Sequence, residues 1–244
     1  MKISIKIKNY LIDQYFRPTA YLGLAINPFY IIRRGLLRAF ETLASEISRG
    51  RLLDYGCGRK PYAALFDVDE YIGIDIKVSG HNHSSSRVDF YFDGTNIPFQ
   101  DKYFDNVFSS EVFEHVFDID VSLEEINRVL KSGGNLVFSC PFVWNEHEQP
   151  YDYARYTSFA LKHLLEKHGF KLVRLIKTTT FIETIFQIFT LYLFENCMPK
   201  NKFLRYLLVP VVIFPIHTLG VFLSLFLPDN RSFFHNNVVH AVKL

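Results

Sequence analysis

Two groups of residues have the types and spacing for chemistry. The first is Asp54-x-Gly56-x-Gly58, followed 21 positions after Asp54 by Asp75. Glycines at the end of an apolar run let the backbone approach a ligand and take positive φ without strain. An acidic side chain at the end of the next such run can accept both hydroxyls of a ribose. A dinucleotide site requires a third glycine where the pyrophosphate meets a helix N-terminus, and Pro61 stands there instead. A sulfonium cofactor carries positive charge and no phosphate, so an acidic Asp54 suits it. The plain alternative is an ordinary glycine turn. The second group is His147 and Asp152 in a dense polar and aromatic stretch, Pro141 to Thr157. Histidine titrates near neutral pH, which makes His147 a candidate general base and Asp152 its orienting partner. The alternative is a pair that merely braces a loop.

These residues need elements to position them. Residues 27–48 read as an amphipathic helix, with Ile31, Leu36, Leu37, Phe40, Leu43 and Ile47 at helical spacing. Strands are expected at 51–55, 71–76, 88–92, 105–109, 135–140, 170–177 and 237–243. A short helix is expected near 62–66. Ser122-Leu123-Glu124-Glu125 has the form of a capping box that opens a helix to Lys131, and Thr157 caps another that Gly169 ends. Alternating strands and helices predict an α/β fold: a seven-stranded, mostly parallel sheet with helices on both faces. The expected organisation is an N-terminal helical extension (1–49), a core (50–179), an apolar helical insertion (180–232) and a last core strand (233–244).

Taken in order, Leu53-Asp54-Tyr55-Gly56-Cys57-Gly58, Tyr71-Ile72-Gly73-Ile74-Asp75 and Asp93-Gly94-Thr95-x-Ile97-Pro98-Phe99 resemble successive motifs of class I S-adenosylmethionine-dependent methyltransferases. Ser110-Glu111-Val112-x-Glu114-His115-Val116 and Arg128-Val129-Leu130-Lys131-x-Gly133-Gly134 continue the series. The resemblance implies a Rossmann-like fold and S-adenosylmethionine as cofactor. It also implies that Gly56 and Gly58 line the methionine moiety with Asp54 and Cys57 beside them. Asp75, next to Ile76, would hold the ribose. Asp93 and Gly94 would lie near the adenine, and Ser110 and Glu111 near the transferring methyl.

The stretch Pro141-Phe142 to His147-Glu148-x-Pro150-Tyr151-Asp152-Tyr153-x-Arg155-Tyr156-Thr157 resembles a loop of a methyltransferase subgroup linked to bacterial surface polysaccharide and glycolipid assembly. That implies a small-molecule or lipid-linked saccharide acceptor. An isoprenoid quinone, or a catalytically inactive fold that binds partners, are the rival readings. Arg155 and Tyr156 are candidate acceptor contacts, Arg155 being weighed against an ion pair with Glu146 or Glu148. His115 is a third candidate contact, weighed against a structural role. No metal is expected: His81-x-His83 lacks a third ligand nearby, and Glu146-His147-Glu148 lacks the i,i+4 histidine pair of a zinc protease helix.

A formal charge of +2 excludes a strong field for nucleic acid. Three dispersed cysteines fit a reducing, cytoplasmic setting. The basic start has no apolar segment behind it of the kind a signal peptide carries. Between Tyr206 and Pro228 there is no charged residue, which meets the length of a membrane span. Pro210, Pro215, Gly220 and His217 interrupt it, and a last sheet strand follows, which argues against crossing. Residues 181–227 are therefore expected to make peripheral membrane contact at the inner face. A lid, a homodimer interface or a buried hairpin are the alternatives. Lys200, Lys202 and Arg205 stand ready for anionic head groups.

Overall fold

The computed structural model describes residues 5–19, 21–80 and 86–244, without the side chains of 5–9, 11 and 202. His81 and His83 lie outside the described residues. The chain divides into two compact units: residues up to 38 with 177–235, and residues 39–176 with 236–244. The N-terminal extension and the insertion, expected as separate appendages, thus fall into one helical unit. The expected boundary at 49/50 moves to 38/39.

The second unit is built on a sheet of β1 (Arg51–Tyr55), β2 (Glu70–Ile76), β3 (Phe90–Phe92), β4 (Phe104–Ser110), β5 (Leu130–Pro141), β6 (Phe170–Lys177) and β7 (Asn236–Lys243). Their order is β3-β2-β1-β4-β5-β7-β6. β1 pairs in parallel with both β2 and β4, and β7 runs antiparallel to β5. The mostly parallel seven-stranded fold expected from the sequence is present. Strand order reverses at β1 and β4, and in open α/β sheets ligands bind beyond the carboxyl ends of the strands at that point.

Both faces of the sheet are covered. On one, Leu53, Tyr55, Val107 and Phe138 pack with Leu123 and Ile126 of α4 (Ile119–Val129) and Leu161 and Leu165 of α5 (Ser158–Lys167). On the other, Phe108 meets Phe40 with ring centroids 5.0 Å apart. The helix over 27–48 is shorter than expected, α3 (Tyr30–Ala44). The capping box assigned to Ser122 is not a cap. α4 begins four residues earlier, where the cap Asp118 accepts from the Val121 N–H, and the buried Ser122 hydroxyl is 2.9 Å from that of Tyr55. Glu125 holds Arg128 and the Ile97 N–H. Thr157 caps α5 as predicted, its hydroxyl accepting from Ala160, and Gly169 ends it at φ +75°.

The helical unit contains α1 (Ile5–Phe16), α2 (Leu22–Ile26), the first part of α3, α6 (Phe181–Tyr192) with a π-helical turn to Cys197, and α7 (Lys202–Ser224). A capping box does occur here: Thr180 and Glu183 cap one another's backbone N–H groups at the start of α6. α6 is amphipathic in an inverted sense. Glu183, Thr184, Gln187 and Thr190 are buried, while Phe181, Ile185, Phe189 and Tyr192 are exposed. The buried polar groups are paired. Glu183 holds Arg34, and Gln187 accepts from the Ile31 N–H and donates to the Pro28 carbonyl. Thr190 lies 2.8 Å from Nε2 of His217, which burial alone pulls down to about 3. α7 buries the stripe Val209, Ile213, His217 and Gly220, where a Cβ on Gly220 would come within 2.6 Å of Phe186. Its other faces expose Phe203, Tyr206, Leu207, Val211, Leu219 and Phe222.

Candidate active site

The carboxyl ends of β1, β2 and β4 open onto a cavity of about 460 Å³ within the sheet unit, inside the usual range for small-molecule sites, roughly 300–1,000 Å³. Gly56 follows β1 at φ +74°, and a Cβ there would run into Val112. At Gly58, φ is +47° and a Cβ would meet nothing. The turn is thus glycine for two reasons, left-handed backbone at both positions and a crowded approach at the first.

Asp75 ends β2 on the cavity wall. Its Oδ2 accepts from the Gly58 N–H at 3.0 Å and its Oδ1 from the Ile76 N–H at 2.8 Å. These bonds fix the carboxylate and leave each oxygen a second lone-pair direction, the acceptor pair a ribose diol requires. Asp93, also on the wall, closes an Asx turn. Bonds from the backbone and side chain of Asn96, then those of Thr95, hold its carboxyl well below the usual range. Gly94 beside it has φ +89°. Glu111, at the end of β4, is left-handed at φ +56°, and Glu148 at φ +51°; both line the cavity. Such backbone costs about 1–3 kcal/mol in a non-glycine residue and gathers at functional sites. Glu111 is held by Ser139, whose hydroxyl donates to Oε1, and by Asn236, which donates to Oε2 at 2.7 Å.

Of the cofactor residues expected from the sequence, Gly56, Asp75, Ile76, Asp93, Gly94 and Glu111 line the cavity. Asp54, Cys57, Gly58 and Ser110 do not. Side chains alternate along β1, so Tyr55 faces the cavity and Asp54 is buried, accepting from Tyr71 Oη at 2.7 Å. Burial pushes the Asp54 carboxyl up to about 7 despite the Tyr71 bond and nearby Lys60. Cys57 is buried, its thiol pushed up chiefly by burial. Gly58 contributes through its bond to Asp75. Ser110 lies beside Ser139, with 3.5 Å between the hydroxyl oxygens.

The acceptor-side residues are placed less directly. His115 lines the cavity, but His147, Asp152, Arg155 and Tyr156 do not. The His147 ring packs edge-on against that of His115, centroids 4.7 Å apart. Asp152 does accompany His147, accepting its backbone N–H at 2.9 Å and lying 3.3 Å from Nδ1. Its main partner, however, is Arg155, which donates to both carboxylate oxygens at 2.6 and 2.7 Å. Burial works against the Asp152 charge, but Arg155 and the His147 N–H prevail and lower it to about 2. The ion pair weighed for Arg155 therefore exists, with Asp152 rather than with Glu146 or Glu148. Burial, then the neighbouring His115, lowers His147 below the ordinary imidazole value. Tyr156 is pushed up to about 12 by burial.

Sequence reasoning missed Tyr151 and Tyr153, which line the cavity with Val116, Phe117 and Val121. A backbone clasp brings them there: the N–H groups of Tyr153 and Ala154 donate to the Glu114 carbonyl at 2.8 and 3.2 Å. They lie in the loop that the sequence marked for the acceptor, by its aromatic density and its resemblance, but nothing in it singled them out.

The profile of a family described as a methyltransferase domain matches residues 25–175. A fatty-acid O-methyltransferase of Mycolicibacterium smegmatis is 27% identical over 130 residues, 48% of this chain and 47% of that protein. The chain thus spans about half the length of the curated relatives it matches. Among solved structures, an S-adenosylmethionine-dependent methyltransferase from Mesorhizobium loti superposes with a TM-score of 0.53 at 13% identity, covering 86% of this chain and 98% of that one. One from Archaeoglobus fulgidus gives 0.52 at 19%, covering 96% and 99%. At these identities the superpositions establish the fold.

Proposed function

The chain belongs to the methyltransferase-domain family, and on that premise we propose that it transfers a methyl group from S-adenosylmethionine to an oxygen of a lipid-linked saccharide. The observation that carries the donor half is Asp75, pinned by two backbone N–H groups beside a left-handed glycine turn, with lone pairs to spare. Asp75 would hold the ribose, Asp93 and Gly94 would border the adenine, and Gly56 with Glu111 would flank the methionine end. The cofactor supplies a methyl on a sulfonium that leaves as a neutral thioether. The chain's own work is alignment and management of the acceptor proton. Tyr151, Tyr153 and His115 would meet the acceptor, with His147 and its partner Asp152 backing His115.

Support for a lipid-borne acceptor comes from the inverted polarity of α6 and the apolar outer faces of α7. Helices that bury hydroxyls and amides while exposing phenylalanine suit an apolar surrounding. Phe203–Ser224 is long and apolar enough to cross a membrane. However, β7 pairs with β5 in one sheet, so the chain before and after the insertion stays on one side. Contact with a single leaflet fits both facts. Lys200 is exposed, whereas Arg205 is engaged by the Pro199 carbonyl and the Phe194 ring; the Lys202 side chain lies outside the described residues. The Mycolicibacterium relative takes a lipid acceptor by its name, and the loop from His147 to Thr157 supplies the saccharide half.

The test is incubation with methyl-labelled S-adenosylmethionine and a membrane lipid extract. Label expected in the organic phase should pass to water as a methylated sugar after mild acid. Label that stays with the lipid after acid overturns the saccharide and favours a quinone or acyl acceptor. Flotation with anionic liposomes tests the surface separately: a monodisperse, detergent-free protein that stays at the bottom of the gradient overturns the membrane contact.

A further inference from the structure

Glu114 is wholly buried, and among the described residues neither of its carboxylate oxygens has a hydrogen-bond partner. Leaving a carboxylate so costs several kcal/mol unless a proton or a cation accompanies it. The groups around it are suited to a cation. Glu114 Oε1 is 3.9 Å from His115 Nε2, and donor atoms of Glu114, His115 and His147 all lie within 4.8 Å of one another. His115 Nδ1 lies 2.7 Å from the Tyr151 carbonyl, which can only accept, so Nδ1 carries the proton and Nε2 keeps its lone pair. His147 Nδ1 is likewise placed, 3.2 Å from the Asn145 carbonyl and 3.3 Å from Asp152. Metal-binding histidines are oriented in this way, with the other ring N–H given to a carbonyl or carboxylate. Glu148 brings a further carboxylate oxygen 4.0 Å from His115 Nε2 on the cavity wall.

We propose that Glu114, His115 and His147 hold a divalent transition-metal ion at the edge of the donor cavity, with Glu148 within reach as a fourth ligand. Two imidazoles and a carboxylate favour zinc, cobalt or manganese over magnesium or calcium. A tetrahedral ion with bonds of about 2.0–2.1 Å separates its ligands by roughly 3.4 Å, so the 3.9 and 4.0 Å pairs need close by about half an ångström and no pair of the three by more than about 1.4 Å. The expected absence of metal rested on sequence spacing. These ligands come from two segments that the Glu114 carbonyl clasps together. Resting on the methyltransferase reading, the site gives the ion a task. An acceptor hydroxyl bound to it loses its proton to water, and the oxygen forms the new O–C bond as the S–C bond breaks and its electron pair stays on sulfur.

The test takes the full chain without a polyhistidine tag, stripped with chelator and titrated calorimetrically with ZnCl2. One equivalent should bind, and CoCl2 should give the visible absorption of a four-coordinate site. His147→Ala, at a half-exposed ring, should weaken binding at least tenfold, and Glu114→Gln should do the same if it folds. Failure to take up one equivalent, or unchanged binding in His147→Ala, overturns the site. S-adenosylmethionine is titrated into the same samples. Zinc uptake without donor binding supports the ion site while sinking the methyltransferase reading. Donor binding without zinc uptake overturns the ion site alone.

Discussion

The sheet unit hides mainly aliphatic and aromatic side chains, with a few acids such as Asp54 and Glu114 among them, whereas α6 and α7 of the helical unit hide glutamate, glutamine, threonine and histidine and turn phenylalanine outward. In water the first arrangement follows from the hydrophobic effect. The second does not, because exposed apolar faces gain nothing from solvent while buried polar groups must each find a partner. Partners are found for most of them: Arg34 for Glu183, backbone groups for Gln187, and Thr190 for Nε2 of His217, whose Nδ1 has none among the described residues. The proposed membrane contact would account for the second arrangement.

Substitutions of matched chemistry on the two units should break or sharpen that contrast. The largest effect is expected at Asp75→Ala, which removes the acceptor pair for the ribose. Donor affinity by calorimetry should fall by about 100-fold or more, charge-assisted bonds being worth roughly 1.5–3 kcal/mol each. Gln187→Ala should come next. It strands the buried Ile31 N–H and Pro28 carbonyl and should cost about 2–4 kcal/mol in chemical denaturation. The outward pair Ile185→Ser and Phe189→Ser should cost under about 1 kcal/mol while abolishing liposome flotation. Equal destabilisation by the inner and outer changes would end the contrast. His147→Ala should lower turnover about tenfold or more and leave donor affinity unchanged.

A further effect is a pH slope. Asp54 is raised in the fold to about 7 from an ordinary 3.8. Between those values the unfolded chain has lost a proton that the folded chain keeps, so this group's contribution to stability falls as pH rises. Asp54→Asn should therefore gain melting temperature relative to the parent between pH 4.5 and about 7, and parallel melting curves would show that Asp54 is not the source.

How legible these features were depends on how local their causes are. β6 was readable to the residue, because Gly169 stops the helix before it and its own pattern is contiguous. The glycine turn and Asp75 were readable for the same reason, each being set by its own backbone and strand end. Ser122 misled because S-x-x-E satisfies the cap pattern inside a helix as well as at its start. The choice of Asp118 was made by tertiary packing that takes the Ser122 hydroxyl to Tyr55. Tyr151 and Tyr153 lay within the stretch read as the acceptor loop but could not be singled out, because the Glu114 carbonyl delivers them across the fold. The polar stripe of α6 was legible as a stripe, but periodicity gives the existence of a face and not the direction in which it points.

The place of β7 has a consequence for the order of assembly. It lies between β5 and β6 in the sheet, yet it follows α6 and α7 in the chain. While a ribosome is making residues 178–235, β5 has an open edge and β6 has no neighbour. The helical hairpin is therefore synthesised in full before the slot in the sheet can close, and its apolar faces emerge while that slot still stands open.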